Sequence, residues 1–196
     1  MKKQIELVNQ LSDRELLLNV YATQIIILIV ALGLNWLLTG TPFSWVETIS
    51  FSADAVIIGI VFAVIIVLFE IIMDKYLPDD WLDDGGINER LFSSISPFHI
   101  FILTAIIGIS EEILFRGVIQ EQFGLVVASV LFAVVHVRYW HNRFLFSFMV
   151  VLSFMFGLVY LWSGNLLSVI IAHVLIDFFL GLYIKNTSVR LKGEIK

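Results

Sequence analysis

Long apolar runs separated by short polar segments dominate the hydrophobic pattern of the chain. A helix of about 20 predominantly apolar residues crosses the hydrocarbon core of a bilayer, and runs close to that length recur along the sequence. They are residues 16–38, 53–73, 98–120, 125–137, 144–162 and 166–184. The pattern predicts an all-α fold, a polytopic transmembrane bundle of about six spanning helices.

The polar segments divide the chain into three parts. Residues 1–96 hold an amphipathic N-terminal segment (residues 1–15), two spans and an acidic loop. Residues 97–185 hold the other spans, with a turn predicted at residues 122–124. Residues 186–196 form a polar tail, so the middle part is the candidate functional core.

Composition supports a membrane protein and excludes several other classes. The chain is 59% hydrophobic, against about 45–50% for a soluble domain. With no cysteine, it can form neither a disulfide nor a thiol nucleophile. The net charge of −5 offers no basic surface for nucleic acid.

Charge asymmetry predicts the orientation of the bundle. With the N-terminus inside, every Lys and Arg except Arg116 falls in a cytoplasmic segment, and the outside loops have none. This partition follows the positive-inside rule. We therefore expect an integral multi-pass membrane protein with both termini cytoplasmic, and the compact length favours a bacterial cell membrane.

Two adjacent carboxylates and an arginine interrupt the third apolar run. Each such charge costs roughly 2.5–3.5 kcal/mol at mid-membrane on insertion scales, so a functional or pairing role is expected. Glu112 and Arg116 are four residues apart, which suits an ion pair on one helix face. Glu111 is turned about 100° from Glu112 and can face the bundle interior.

Further ionisable side chains lie within the fourth and sixth runs. His136 follows Phe132 by four residues, and Asp177 follows His173 by the same interval, so each pair shares a helix face. One histidine alone would be typical of a helix–helix hydrogen bond. Together with the two carboxylates, these groups predict a polar site suited to activating water.

Three motifs resemble those of a known family. The CPBP intramembrane proteases, which include CAAX proteases and bacteriocin-processing (Abi) enzymes, are related to the Ras-converting endopeptidase. The chain resembles them over residues 97–184. The motifs are Glu111-Glu112-x-x-x-Arg116, Phe132-x-x-x-His136 and His173-x-x-x-Asp177.

The resemblance implies an intramembrane endopeptidase that uses a glutamate-activated water. Glu111 would be the general base, while His136 and His173 would position the water or stabilise the oxyanion. Supporting roles would fall to Glu112 and Arg116, which would hold the base helix, and to Phe132, which would pack the wall of the site. The substrate would be a membrane protein or peptide.

Asp177 leaves the catalytic type open. The Ras-converting enzymes carry Asn at this position, and ionised Asp cannot donate a hydrogen bond to an oxyanion as Asn can. Asp177 could be protonated, orient His173 or bind a metal. Zinc is therefore an alternative, because its ligand preferences fit the set Glu111, His136, His173 and Asp177. The preferred interpretation requires no cofactor.

Two other functions use the same residues. A non-catalytic membrane regulator or bacteriocin self-immunity protein could share the fold. A transporter would also place charges within the membrane, but the internal repeat common in transporters is not visible in the sequence.

Overall fold

The computed structural model of the chain describes residues 10–194. Most of the predicted amphipathic segment, residues 1–9, lies outside the described residues, as do residues 195–196 of the polar tail. The described part is helical with short connections, which confirms the all-α class.

Eight α-helices and three other helical segments follow one another along the described chain. The α-helices are α1 (Asp13–Thr39), α2 (Ala53–Tyr76), α3 (Asp79–Leu82), α4 (Ile87–Ser93), α5 (Pro97–Glu112), α6 (Glu121–Val135), α7 (Arg143–Ser163) and α8 (Leu166–Glu194). The others are 3₁₀ helices at Ser44–Thr48 and Val137–Tyr139 and a π-helix at Ile113–Gln120.

Local sequence determines where the long helices begin. Ser12 and Glu15 form a capping box at the start of α1. Ser52 and Ser96 cap α2 and α5 through their hydroxyls, and Pro97 occupies the first turn of α5, where its missing N–H is not needed. These caps satisfy backbone donors that would otherwise be unpaired at the helix ends.

Helix α8 is the centre of the bundle. It packs against α2, α4, α5 and α7, and Leu166, Val169 and Ala172 on its buried face are fully enclosed. In contrast, α1 exposes apolar residues such as Ile25 and Ile29. Such a surface fits contact with lipid, and the protein is a multi-pass membrane protein.

The structure has five helical segments, among the described residues, that are long and apolar enough to cross a membrane. The third, Pro97–Val135, contains the third predicted span and most of the fourth. Gly124 breaks it with a φ of 82° and a ψ of 171°, at the predicted turn. At about 1.5 Å per residue, the part after Gly124 is roughly 16 Å long, about half the hydrocarbon core.

This short segment folds back along its predecessor. The ring of Phe132 on α6 lies 4.9 Å from that of Phe115 in the π-helix. The reversal at Gly124 therefore returns the end of α6 to the level of Glu111. A glycine allows this turn because its φ lies in the left-handed region.

Candidate active site

The two adjacent carboxylates lie where α5 changes into a π-helix. Glu112 is the last residue of α5, and the π-helix begins at Ile113. The Ile113 N–H is shared between the carbonyls of Ile109 and Ser110. π-Helices are rare and are frequent at functional sites. Both glutamates therefore lie at the junction between an α-helix and a π-helix.

Glu112 is the centre of a fully buried charge cluster. Its Oε1 accepts from Arg116 Nη1 at 3.3 Å and from His173 Nδ1 at 2.7 Å. Glu112 is 0% exposed and Arg116 is 1% exposed. The ion pair predicted from the four-residue spacing is therefore present, and it includes a histidine from α8.

Arg116 also ties the π-helix to α7. Its Nη2 donates to the Ser153 carbonyl at 3.0 Å and to the Ser153 hydroxyl at 3.2 Å. The guanidinium stacks over the Phe132 ring, 4.5 Å from the ring centroid, an attractive cation–π geometry. One side chain thus holds together the π-helix, α6 and α7.

Glu111 points away from this cluster and faces His136. Its Oε2 lies 3.8 Å from His136 Nε2, and within residues 10–194 it has no hydrogen-bond partner. His136 Nδ1 lies 2.7 Å from the Phe132 carbonyl. Because a carbonyl only accepts, Nδ1 carries the hydrogen, and a neutral His136 presents an Nε2 lone pair.

The result is two hydrogen-bond acceptors that face each other across a short gap. Oε2 of ionised Glu111 and Nε2 of neutral His136 cannot bond directly at 3.8 Å. A water molecule has two O–H groups and can donate one to each. This arrangement would orient a water oxygen and place its proton next to a base.

His173 is held between two carboxylates. Nδ1 meets Glu112, and Nε2 lies 3.5 Å from Asp177 Oδ2 one turn along α8. An imidazolium can donate to both. Asp177 also interacts electrostatically with Glu70 on α2 and Arg138 after α6, so the polar cluster extends to two more segments of the bundle.

The seven predicted site residues come together in one region, but in two groups. Glu111 faces His136, whereas His173 is bonded to Glu112. The resemblance implied that both histidines act on the water beside Glu111, whereas the α5–α8 packing puts His173 beside Glu112. The predicted seven are Glu111, Glu112, Arg116, Phe132, His136, His173 and Asp177.

The four residues considered as zinc ligands do not form one ligand set. Within the described part of the chain, no group of three or more His, Asp or Glu side chains is arranged to hold a metal ion. His173 directs both ring nitrogens towards Glu112 and Asp177, away from Glu111 and His136. Two protein ligands are fewer than the three or four usual for zinc.

Several site residues were not predicted from the sequence. Gln24 of α1 donates to Glu111, and Ser110 bonds to Gln24. Gln24 is a polar residue within an apolar run, and this position in the sequence could have indicated that it faces a polar site. Ser153 had no such signal, since a serine is common in membrane helices. Glu70 of α2 is half-buried and interacts electrostatically with Asp177.

Comparisons with known proteins cover this region. Residues 93–179 match the family described as "Type II CAAX prenyl endopeptidase Rce1-like". The Bacillus subtilis (strain 168) protein named "Uncharacterized protein YpbD" is 42% identical over 132 residues, which are 67% of this chain and 70% of that protein. No solved structure matches the chain. The family match contains all seven predicted residues and does not reach Gln24.

Proposed function

The chain belongs to the CPBP family of CAAX-protease-like membrane proteins, and we propose that it is an intramembrane endopeptidase in which Glu111 activates water. The observation that carries the proposal is the pair of opposed acceptors. Glu111 Oε2 and His136 Nε2 are 3.8 Å apart, and Glu111 is only 6% exposed. A buried carboxylate with an unbonded oxygen beside a histidine lone pair suits general-base catalysis.

The proposed reaction is hydrolysis of a peptide bond. Water donates one hydrogen to Glu111 and one to His136, and its oxygen attacks the carbonyl carbon while Glu111 takes a proton. The tetrahedral oxyanion then collapses, the C–N bond breaks and the amine leaves with the proton that Glu111 accepted. The products are a carboxylic acid and an amine, and Glu111 is restored as a carboxylate; the acid then releases its proton to solvent.

His173 would stabilise the oxyanion. Its two ring nitrogens are engaged by Glu112 and Asp177, so the imidazolium would act through its charge and not by donating a hydrogen bond to the oxyanion. Preorganised positive charge in a site shielded from water stabilises developing negative charge efficiently. Arg116 and Phe132 hold this assembly in place through their stacking contact.

We propose a membrane protein or membrane-associated peptide as the substrate. The base and the histidines lie inside an apolar bundle, so the scissile bond has to enter from the membrane or its surface. We also propose a bacterial cell membrane location with both termini cytoplasmic, because the Lys and Arg partition favours that orientation.

Cleavage of a peptide library tests this function. Purified protein in lipid nanodiscs is incubated with membrane-peptide sequences in ¹⁸O-labelled water, and new termini are identified by mass spectrometry. We expect ¹⁸O in the new carboxyl group with wild type and little cleavage with Glu111→Gln. The control is Glu47→Gln, an exposed carboxylate in the first 3₁₀ helix. Equal cleavage by Glu111→Gln and wild type would rule out the proposed base.

A chelator titration in the same assay tests the zinc alternative. A glutamate-activated water predicts activity that is unchanged by chelators. Activity that is lost with chelator and restored by zinc would contradict the proposed mechanism and favour a rearranged metal site.

A cellular assay separates catalysis from a regulatory or self-immunity role. Glu111→Ala and His173→Ala variants are expressed in a deletion strain that has a measurable phenotype. The protease proposal predicts that neither variant complements. Full complementation by both would favour the non-catalytic alternative.

A further inference from the structure

The amide of Gln24 links α1 to the proposed base. Its Nε2 donates to Glu111 Oε1 at 3.2 Å, and its Oε1 accepts from the Ser110 hydroxyl at 2.7 Å. We propose that Gln24 is a positioning residue that fixes which oxygen of Glu111 faces His136. This inference rests on the proposed role of Glu111 as the base.

Chemistry determines the orientation of the amide. An ionised carboxylate only accepts hydrogen bonds, so the NH₂ group of Gln24 has to face Glu111. The amide oxygen then faces Ser110 and accepts from its hydroxyl group. The Ser110 hydroxyl oxygen also lies 2.8 Å from the Ile106 carbonyl oxygen. Ser110, Gln24 and Glu111 therefore form a directed series of donors and acceptors.

The consequence for Glu111 is that its two oxygens become different. Oε1 is occupied by Gln24, whereas Oε2 faces His136 Nε2. Without the amide, the carboxylate could rotate about its terminal torsion, which is a soft one. Since Gln24 is 5% exposed and Glu111 is 6% exposed, few water molecules can replace the lost donor. Gln24 thus keeps the free oxygen directed at the position of the reacting water.

The other polar residue buried in α1 has a different role. Asn35 donates to the Thr41 carbonyl and accepts from the Ser44 hydroxyl, so it closes the turn after the helix. It lies three turns from Gln24. A substitution at Asn35 therefore perturbs α1 without changing the environment of Glu111, which makes it the matched control.

The charged groups around Glu111 come from several elements. His136 faces it from the end of α6, and Arg116 interacts with it from the π-helix. Glu112 is its chain neighbour and is neutralised by Arg116 and His173. Gln24 is the neutral donor in this surrounding, so its removal changes hydrogen bonding to the anion without changing the number of charges.

Carbodiimide labelling tests the contact without relying on activity. A hydrophobic carbodiimide reacts with protonated carboxyl groups, and peptide mass spectrometry reports the modification at Glu111. Gln24→Met keeps the length of the side chain but removes the donor that stabilises the anion. We expect labelling of Glu111 to be several-fold faster in Gln24→Met than in wild type, and unchanged in Asn35→Leu.

A second variant changes the same contact by a different chemistry, so that the result does not depend on the folding of one variant. Gln24→Glu places a carboxylate beside Glu111, and two neighbouring carboxylates tend to share a proton. Labelling of Glu111 should therefore rise in this variant as well. Wild-type labelling rates at Glu111 in both Gln24 variants would overturn the proposal.

Kinetics then separate positioning from substrate binding. We expect Gln24→Met to lower kcat on the order of 10²-fold, the loss typical of a group misplaced by about 1 Å, with little change in KM. In a Glu111→Gln background the same substitution should cause no further loss. An unchanged kcat for Gln24→Met would overturn the positioning role of Gln24. Wild-type cleavage by Glu111→Gln with Gln24 intact would instead overturn the proposed function, while the labelling experiment would still report on the contact between Gln24 and Glu111.

Discussion

Glu111 and Glu112 are neighbours in the chain, yet their carboxylates have different partners. Glu112 Oε1 is bonded to Arg116 and His173 in a fully buried site, while Glu111 Oε2 is unbonded and lies beside the ring of His136. We therefore assign stability chiefly to Glu112 and chemistry chiefly to Glu111. We therefore expect substitution of Glu112 to lower stability and substitution of Glu111 to lower activity.

Removal of the Glu112 charge should destabilise the fold. Glu112→Gln leaves Arg116 buried without its counter-charge, and breaking a buried pair in this way costs about 3–5 kcal/mol. Thermal unfolding in detergent should show a clearly lower Tm. The double variant Glu112→Leu/Arg116→Met, which removes both charges, should recover much of the loss. A wild-type Tm for Glu112→Gln would contradict the structural role of the pair.

Asp177 should tolerate loss of its charge better than loss of its polarity. Asp177→Asn keeps an oxygen that can accept from His173 Nε2, whereas Asp177→Leu leaves that nitrogen without the partner. We expect activity within about 10-fold of wild type for Asn and a larger loss for Leu, since an unsatisfied buried donor costs about 1–3 kcal/mol. Equal activities of the two variants in the peptide assay would show that Asp177 does not orient His173.

The sequence predicted the members of the site better than their pairing. The interval from Glu112 to Arg116 determines their contact on one helix, so that pair could be foreseen. The contact between Glu112 and His173 depends on how closely α5 and α8 pack and on the π-helix, which no local pattern indicated. Gln24 lay in a span that the motifs do not cover.

At the scale of elements, the close approach of α5 and α8 brings His173 to Glu112. Gly108 lies at this contact, and a Cβ there would come within 2.9 Å of Val174 Cγ2 and 3.3 Å of His173 Cβ. Small residues at such positions let membrane helices pack closely. The alignment of the histidine therefore depends on the absence of a side chain one turn before Glu112.

Gly108→Ala should reduce activity more than stability. The added methyl group shifts α8 by a few tenths of an ångström and moves His173 relative to Glu112, so we expect kcat to fall on the order of 10-fold with a small change in Tm. Gly33→Ala on α1 is the control, because a Cβ there meets nothing within 4 Å. Wild-type kcat for Gly108→Ala would show that this contact does not position the histidine.

The helices themselves were largely predictable, with one exception. The apolar runs indicated, to within a few residues, where α1, α2 and α5 begin. Gly124 separates the fourth run from the third at the predicted turn, but the helix after it is only about half as long as the hydrocarbon core. Hydropathy cannot distinguish a short returning helix from a complete span, because both consist of apolar residues.

At the scale of the whole molecule, the positive-inside pattern predicts which side each connection faces. The wild-type chain has no cysteine, so a single introduced cysteine reports one position. Glu47→Cys lies between α1 and α2, and Glu89→Cys lies in α4. Both positions are exposed in the structure, which makes them a matched pair.

A membrane-impermeant maleimide should label only Glu47→Cys in intact cells. Glu89→Cys should react only after permeabilisation, because α4 is expected to lie in the cytoplasm. Labelling is measured by the mass of the isolated protein. The opposite pattern would show that the bundle has the opposite orientation and that its termini are not cytoplasmic.

The cleavage rate of Glu111→Gln, measured per folded molecule in nanodiscs, shows whether Glu111 is the base. Replacement of Glu111 by Gln removes the base while nearly preserving the shape of the side chain. We expect a Tm close to that of wild type and a rate at least 10²-fold lower, the lower end of what a general base contributes. A folded Glu111→Gln protein that cleaves at the wild-type rate would rule out Glu111 as the base.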